Sequence, residues 1–303
     1  MALGAFALVL LLIAVGKLCA EWRLLPASAA TVLNQIAIYV CLPAAVLRFA
    51  SQLEFETGLL GLIAVPWLLL LVSIGTIYWL AKALAFSEAE RAVLLLCVPL
   101  GNTSFLGYPL IEAFLGHQAL PYAVAYDQFG SFLILSSWGL WVLARYGGDS
   151  PPTVRMVALK VLRFPPFIAL LIALCLMPSE PPTLVVTVLE WLSDALLPIV
   201  SLAVGLQLQL RVNRQDRSPL VIGLSLKLLV LPALAWPLCL WLGMPELMLQ
   251  TSVLESAMAP MITASALAIS HRLAPSLAAA MVGFGTPLSL LSLLGWRWLL
   301  GVG

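Results

Sequence analysis

Pro99, Gly101, Asn102, Gly107 and Pro109 fall within eleven residues of a run, Val93 to Leu115, that is otherwise apolar enough to cross a bilayer. Each proline removes a backbone donor and collides with the carbonyl four residues back. Backbone groups freed inside hydrocarbon persist only where protein, ordered water or a ligand satisfies them. The interrupted run is therefore a candidate binding site. Asn102 offers two donors and an acceptor with no buried charge, which suits a carboxylate or an ion. A hydrogen bond that merely holds two helices together is the alternative. Thr103 and Ser104 are weaker candidates, because a hydroxyl can satisfy its own helix backbone.

A second interruption stands at Pro260, in SAMAPMITAS. Past each break a half-helix starts with unpaired N–H groups and a partial positive charge. Such an end holds an anion without a cationic side chain. If the two breaks meet in mid-bilayer, both positive ends face one cavity, and a carboxylate is favoured over a cation. No acidic ring of the kind that lines cation pores is visible.

Ionisable residues inside apolar runs are functional candidates. Asp127, in YDQFGS, and Glu255, five residues before Pro260, could exchange protons; an outward water-filled vestibule is the plainer explanation for each. Lys227 could attract an anion or pair with a carboxylate, or simply snorkel. Glu190 and Asp194 suit an outer mouth or a subunit contact, and Glu112 and Glu246 look peripheral. The five cysteines form no CxxC and the two histidines have no HExxH-type spacing, so no metal site is expected. No cofactor motif occurs; coupling to H+ or Na+ is left open. The tryptophans, several near the ends of apolar runs, are assigned to the interfacial belt.

These residues are positioned by a membrane-embedded chain. Hydrophobic residues make up 62% and charged residues 10% of it, and the mean hydropathy is +1.07. A net charge of +1 gives no reason to invoke nucleic acid. The apolar start lacks a basic n-region and is taken as a retained span. At about 20 residues per crossing, ten spans are expected: Leu3–Cys19, Ala29–Phe49, Gly58–Ala81, Ala92–Leu115, Leu120–Leu143, Val157–Leu176, Leu184–Leu208, Leu220–Leu242, Leu247–Ile269 and Leu277–Trp298. Twelve of the fifteen Lys and Arg residues are assigned to the odd-numbered connections and only Arg48 and Arg297 to the other side. That bias puts the odd connections in the cytoplasm and both termini outside. Five spans per half give the halves opposite orientations, so a repeat between residues 1–147 and 157–303, joined by a linker at 148–156, would be inverted. Pro43 and Pro198 in spans 2 and 7, and Gly101 and Pro260 in spans 4 and 9, sit at matching places.

The segment VPLGNTSFLGYPLIEAFLG resembles the auxin efflux carrier family, including its bacterial members. CLPAAVL, LLPIVSLAVGLQL, LKLLVLPAL, AMAPMITASALA and GTPLSLLSL extend the resemblance over nearly the whole chain. The resemblance implies an all-α fold of ten spans in an inverted five-plus-five repeat, similar to bile-acid and sodium/proton exchangers, with spans 4 and 9 broken and crossing. It implies a homodimer through spans 1, 2 and 7, a scaffold of spans 1, 2, 6 and 7, and a transport part of spans 3–5 and 8–10 moving as an elevator. Substrates would be small organic anions, auxin-like or malonate- and malate-like. Gly101, Asn102 and Thr103 on span 4, and Pro260, Met261, Ile262 and Thr263 on span 9, would form the site. Met261 stands where plant carriers often have glutamine, the long hydrophilic loop of many plant members is absent, and span 6 starts FPPF where relatives often have Asn-Pro. These departures favour a carrier of the bacterial inner membrane. An intramembrane enzyme would need a catalytic dyad and a sensor a signalling domain; neither is visible, and no GxxxxGK[ST] supports direct use of ATP.

Overall fold

The computed structural model describes residues 2–26, 28–53, 58–148, 150–178 and 181–302. Asp149 of the expected linker lies outside the described residues. Among those described, the regular elements are all helical. They run α1 (Ala2–Glu21), α2 (Ala29–Ala50), α3 (Leu59–Ala83), α4 (Glu88–Cys97), α5 (103–115), α6 (120–147), α7 (Val154–Leu162), α8 (Pro165–Cys175), α9 (Thr183–Gln207), α10 (Arg217–Trp241), α11 (Glu246–Ser256), α12 (Ile262–Ser270) and α13 (Pro275–Leu299). Five of these, α2, α3, α9, α10 and α13, are long and apolar enough to cross a membrane.

The expected span 6 differs. Instead of one rod over Val157–Leu176, α7 and α8 meet at a 72° bend. Pro165 and Pro166 explain it: a residue ahead of proline is pushed out of the α region, and Phe164 is extended at φ −78°, ψ 119°. The bend leaves Lys160 and Arg163 at a helix junction and not inside a continuous span.

Two groups of helices pack differently. In the first, α1 lies against α9, and α2 lies between α8 and α9. Gly16 and Gly205 let α1 and α9 approach backbone to backbone; a methyl group at Gly16 would run into the Leu202 carbonyl. Arg48 of α2 reaches Ser193 at 2.8 Å, Asp194 at 3.0 Å and Glu190 at 3.3 Å on α9. Those two acids thus serve an ion-pair cluster within the chain. In the second group α3, α6, α10 and α13 surround the short pieces α4, α5, α11 and α12. Residues Ala92 to Val98 there are at most 1% exposed.

Three tryptophans correct the belt assignment. The indole N–H of Trp138 donates to the Leu95 carbonyl at 3.1 Å, the group that Pro99, four residues on, leaves without a backbone donor. Trp296 donates to Leu228 O at 2.9 Å, freed in the same way by Pro232. Trp67 donates to Phe129 O at 3.0 Å, inside a π-helical turn at Asp127–Ser131. Only Trp22, Trp79, Trp191, Trp241 and Trp298 are more than half exposed among the described residues.

Candidate functional site

A capping box starts α4: Ser87 Oγ accepts from the Glu90 N–H at 3.2 Å, and the Ser87 N–H donates to Glu90 Oε2 at 2.7 Å. The helix stops at Cys97 because Pro99 forbids its continuation. On the other strand of the crossing, α11 ends at Ser256, and α12 restarts only after Pro260 and Met261. The two gaps meet. Gly101 and Pro260 form an antiparallel bridge; the Asn102 N–H donates to Ala259 O at 2.7 Å and the Met261 N–H to Leu100 O at 2.9 Å. Each break thereby satisfies backbone groups of the other, as a water-poor interior requires.

Beside this bridge is a cavity of about 190 Å³. Asn102, Ser104 and Asp127 line it with Met261, Ile262 and Thr263, and Phe105, Phe132 and Phe164 form much of its apolar wall. Lys160 of α7 closes its rim. Asn102 is 3% exposed and its Nδ2 has no hydrogen-bond partner. The first intrahelical donor of α12 is the Ser265 N–H, on Met261 O, so the amides of Ile262 and Thr263 have no partner four residues back. The beginning of α5 is similar: the Gly107 N–H, bonded to Asn102 O at 3.1 Å, is the first to close its π-helical turn. An unused amide, two helix starts and a lysine converge here, a donor-rich pocket for an anionic group.

Asp127 stands in the same cavity with its oxygens engaged. Oδ1 accepts from Thr103 Oγ1 at 2.5 Å, and Oδ2 from Tyr108 at 3.0 Å and Gln128 Nε2 at 2.8 Å. These bonds tie α6 to the start of α5 and so fix the pocket's floor.

Of the residues singled out from sequence, the structure brings Asn102, Asp127, Met261, Ile262 and Thr263 to the cavity wall. Gly101 and Pro260 form the bridge itself, and Thr103 turns away to Asp127. Glu255 and Lys227 are elsewhere. Neither lines the cavity, and both pack against the chain of the broken span 4, Glu255 at Gly107 and Lys227 at Gly101. The vestibule explanation for Glu255 and Asp127 fails, since they are 0% and 3% exposed. Snorkelling fails for Lys227, which is 2% exposed. Sequence reasoning missed Lys160, which it counted as a cytoplasmic charge; the Pro165–Pro166 pair was the signal that the helix carrying it would turn. It also missed Tyr108 and Gln128, whose link to Asp127 spans two helices and leaves no mark in the spacing.

The model of a family described as membrane transport protein matches residues 1–297. A curated protein named uncharacterized transporter, from Methanothermobacter thermautotrophicus, is 27% identical over 292 residues, 95% of each chain. Another protein of that description, from Methanocaldococcus jannaschii, is 25% identical over 302 residues, 97% of each chain.

Proposed function

The chain belongs to the membrane transport protein family, the auxin efflux carriers that its motifs resemble, and is a transporter and not an enzyme; from that premise we propose that it is a secondary carrier of small organic anions. The observation that carries this reading is the paired break, where an unpartnered Asn102 amide and the start of α12 border one cavity. Its size, about 190 Å³, is below the roughly 300–1,000 Å³ of drug-sized sites and suits a carboxylate of a few carbons. In this reading Asn102 and the free amides of Ile262 and Thr263 hold the carboxylate, Phe105, Phe132 and Met261 the carbon skeleton, and Lys160 a second negative group.

The ten crossings of the carrier are α1, α2, α3, α4 with α5, α6, α7 with α8, α9, α10, α11 with α12, and α13. Two inverted halves, 1–147 and 157–303, are joined by the segment 148–156. The matched breaks, which meet at the Gly101–Pro260 bridge, support this. The first packing group, α1, α2, α8 and α9, together with α7, which runs into α8, serves as scaffold. The second slides against it as an elevator, carrying the crossing from one face of the plasma membrane to the other. Outward apolar side chains on α1, α2 and α9, among them Leu11, Tyr39 and Trp191, suit a homodimer contact. The basic-residue bias supports termini on the extracytoplasmic side.

A thermal-shift screen of the purified protein against mono- and dicarboxylates, with and without Na+ and across pH, tests the substrate class, since a ligand that binds the folded state raises its melting temperature. Stabilisation by carboxylates, with matching uptake into proteoliposomes, is expected. Stabilisation only by cations or uncharged solutes would reject an anion carrier, and binding without flux in sealed liposomes would point to a sensor.

A further inference from the structure

Glu255 is unlike any other acid in the described chain. It is fully buried, and neither carboxylate oxygen has a hydrogen-bond partner. It does not line the cavity, so the anion site makes no use of it. A buried polar group without a partner needs a reason. Gly107 leaves it room: a methyl group there would stand 2.6 Å from Oε2 and 2.8 Å from Oε1. The slot therefore depends on the absence of a side chain at the start of α5.

Lys227 is delivered to the same region by α10. Its ammonium lies 3.0 Å from where a Gly101 methyl would be, and the Glu255 carbonyl lies 3.5 Å from that point. Among the described residues no contact of 4.0 Å or less joins the two charged groups. Other titratable groups that face Glu255 come from neighbouring helices: Asp127 and Tyr126 from α6, and Tyr108 from α5. Cys239 of α10 faces Tyr126. Of the remaining helices packed on α11, α13 carries Arg297, which lies over the Phe114 ring, and α3 carries Tyr78 and Lys82 near its distant end.

Building on the anion-carrier reading, we propose that Glu255 is the carrier's proton site, taking up one proton from solution with each bound monoanion and releasing it with the anion on the opposite side. The argument is one of charge. With the cavity empty and Glu255 ionised, Glu255 and Lys227 cancel. With an anion at Asn102 and Glu255 protonated, the Lys227 ammonium behind Gly101 balances the anion, and the sum is again zero. Asp127, held by its own three donors, keeps one state throughout and contributes the same charge to both forms, so it drops out of the comparison. The two mixed forms each leave an uncompensated charge in a low-dielectric interior, which is costly. Only the forms in which Glu255, Lys227 and the bound anion cancel one another cross, so proton and anion move together.

Infrared difference spectroscopy of the protein across a pH titration tests the proton site without any substrate. A protonated-carboxyl C=O band that bleaches toward alkaline pH is expected in wild type and in Asp127→Asn, and its loss in Glu255→Gln. No such band, or a band that survives in Glu255→Gln, overturns the assignment. Where Glu255→Gln fails to fold, the Glu255→Gln/Lys227→Met pair, which removes both charges, takes its place. Propionate and malonate are the transport probes in proteoliposomes. Protein-free liposomes set the background, because neutral propionic acid crosses lipid unaided; with the outside one pH unit more acid, wild type should take up propionate at an initial rate severalfold above that background. In Glu255→Gln the gradient should add nothing to the protein-free background. Carrier-dependent uptake driven by Na+, or accelerated by the pH gradient equally in Glu255→Gln, overturns the coupling. Failure of every carboxylate to bind would instead strike the anion reading and leave the infrared result to decide the proton site.

Discussion

Asp127 and Glu255 are both buried carboxyl groups beside the same broken helix, and their surroundings are opposites. Asp127 takes hydrogen bonds from Thr103, Tyr108 and Gln128, which belong to α5 and α6. Glu255 takes none. The first carboxylate is built into the fold, because three buried donors depend on it. The second has room, no hydrogen-bond donor, and a countercharge, Lys227, that does not touch it. A side chain whose partners are fixed cannot easily change state; one without partners can change state at little structural cost. Burial alone therefore does not mark a working group, and the inventory of donors around it is the better guide.

Removing each carboxyl is the strongest way to break that comparison. Asp127→Leu strands three buried donors, each worth about 1–3 kcal/mol, so a large fall in melting temperature in detergent is expected. The Glu255→Met/Lys227→Met pair strands none and should melt close to wild type, since replacing both members of a buried charge pair is often neutral. Equal losses in the two proteins would erase the distinction. Next in size, Asn102→Ala should abolish carboxylate-dependent stabilisation, about 2.7 kcal/mol at a ligand concentration one hundred times its Kd. It should leave expression intact, because Nδ2 has no protein partner to lose. Unchanged binding would remove Asn102 from the site.

Trp138→Phe sharpens the comparison on the backbone side. It keeps an aromatic ring while leaving the Leu95 carbonyl without its donor, for an expected loss of about 1–3 kcal/mol, read as a lower melting temperature. An effect below that range would mean another donor takes over. The smallest change expected is Lys160→Gln. Its exposed position at the cavity rim limits the effect on monocarboxylates to about 1 kcal/mol or less, and isothermal titration should find a larger loss for malonate than for propionate. Equal losses would separate Lys160 from charge recognition.

Much of the site was legible because it depends on the backbone. Prolines and glycines announce where helices must stop, and two such stops in a membrane chain must be satisfied by something; the bridge from Gly101 to Pro260 is that answer. Asn102 was legible for the same reason. What the sequence concealed were relations between side chains on different helices. Spacing along one helix places Asp127 and Glu255 at similar depths, and nothing in it reports that Tyr108 and Gln128 turn to one while Gly107 makes room for the other. The bend between α7 and α8 was readable in Pro165 and Pro166, yet a hydropathy window averages across it. The interior tryptophans were misassigned because proximity to a span end resembles an interfacial anchor, whereas Trp138 and Trp296 each answer a proline on another helix.

Those indoles also bear on leakage. A bend in a helix within a lipid-bounded protein usually invites a water molecule to mend the gap, and a file of such molecules is a wire for protons. Here Trp138 and Trp296 mend two of the gaps from the solid interior. Hydration is thereby discouraged along the bent rods, and a solute-moving protein built this way can stay flexible at its joints while remaining tight to ions.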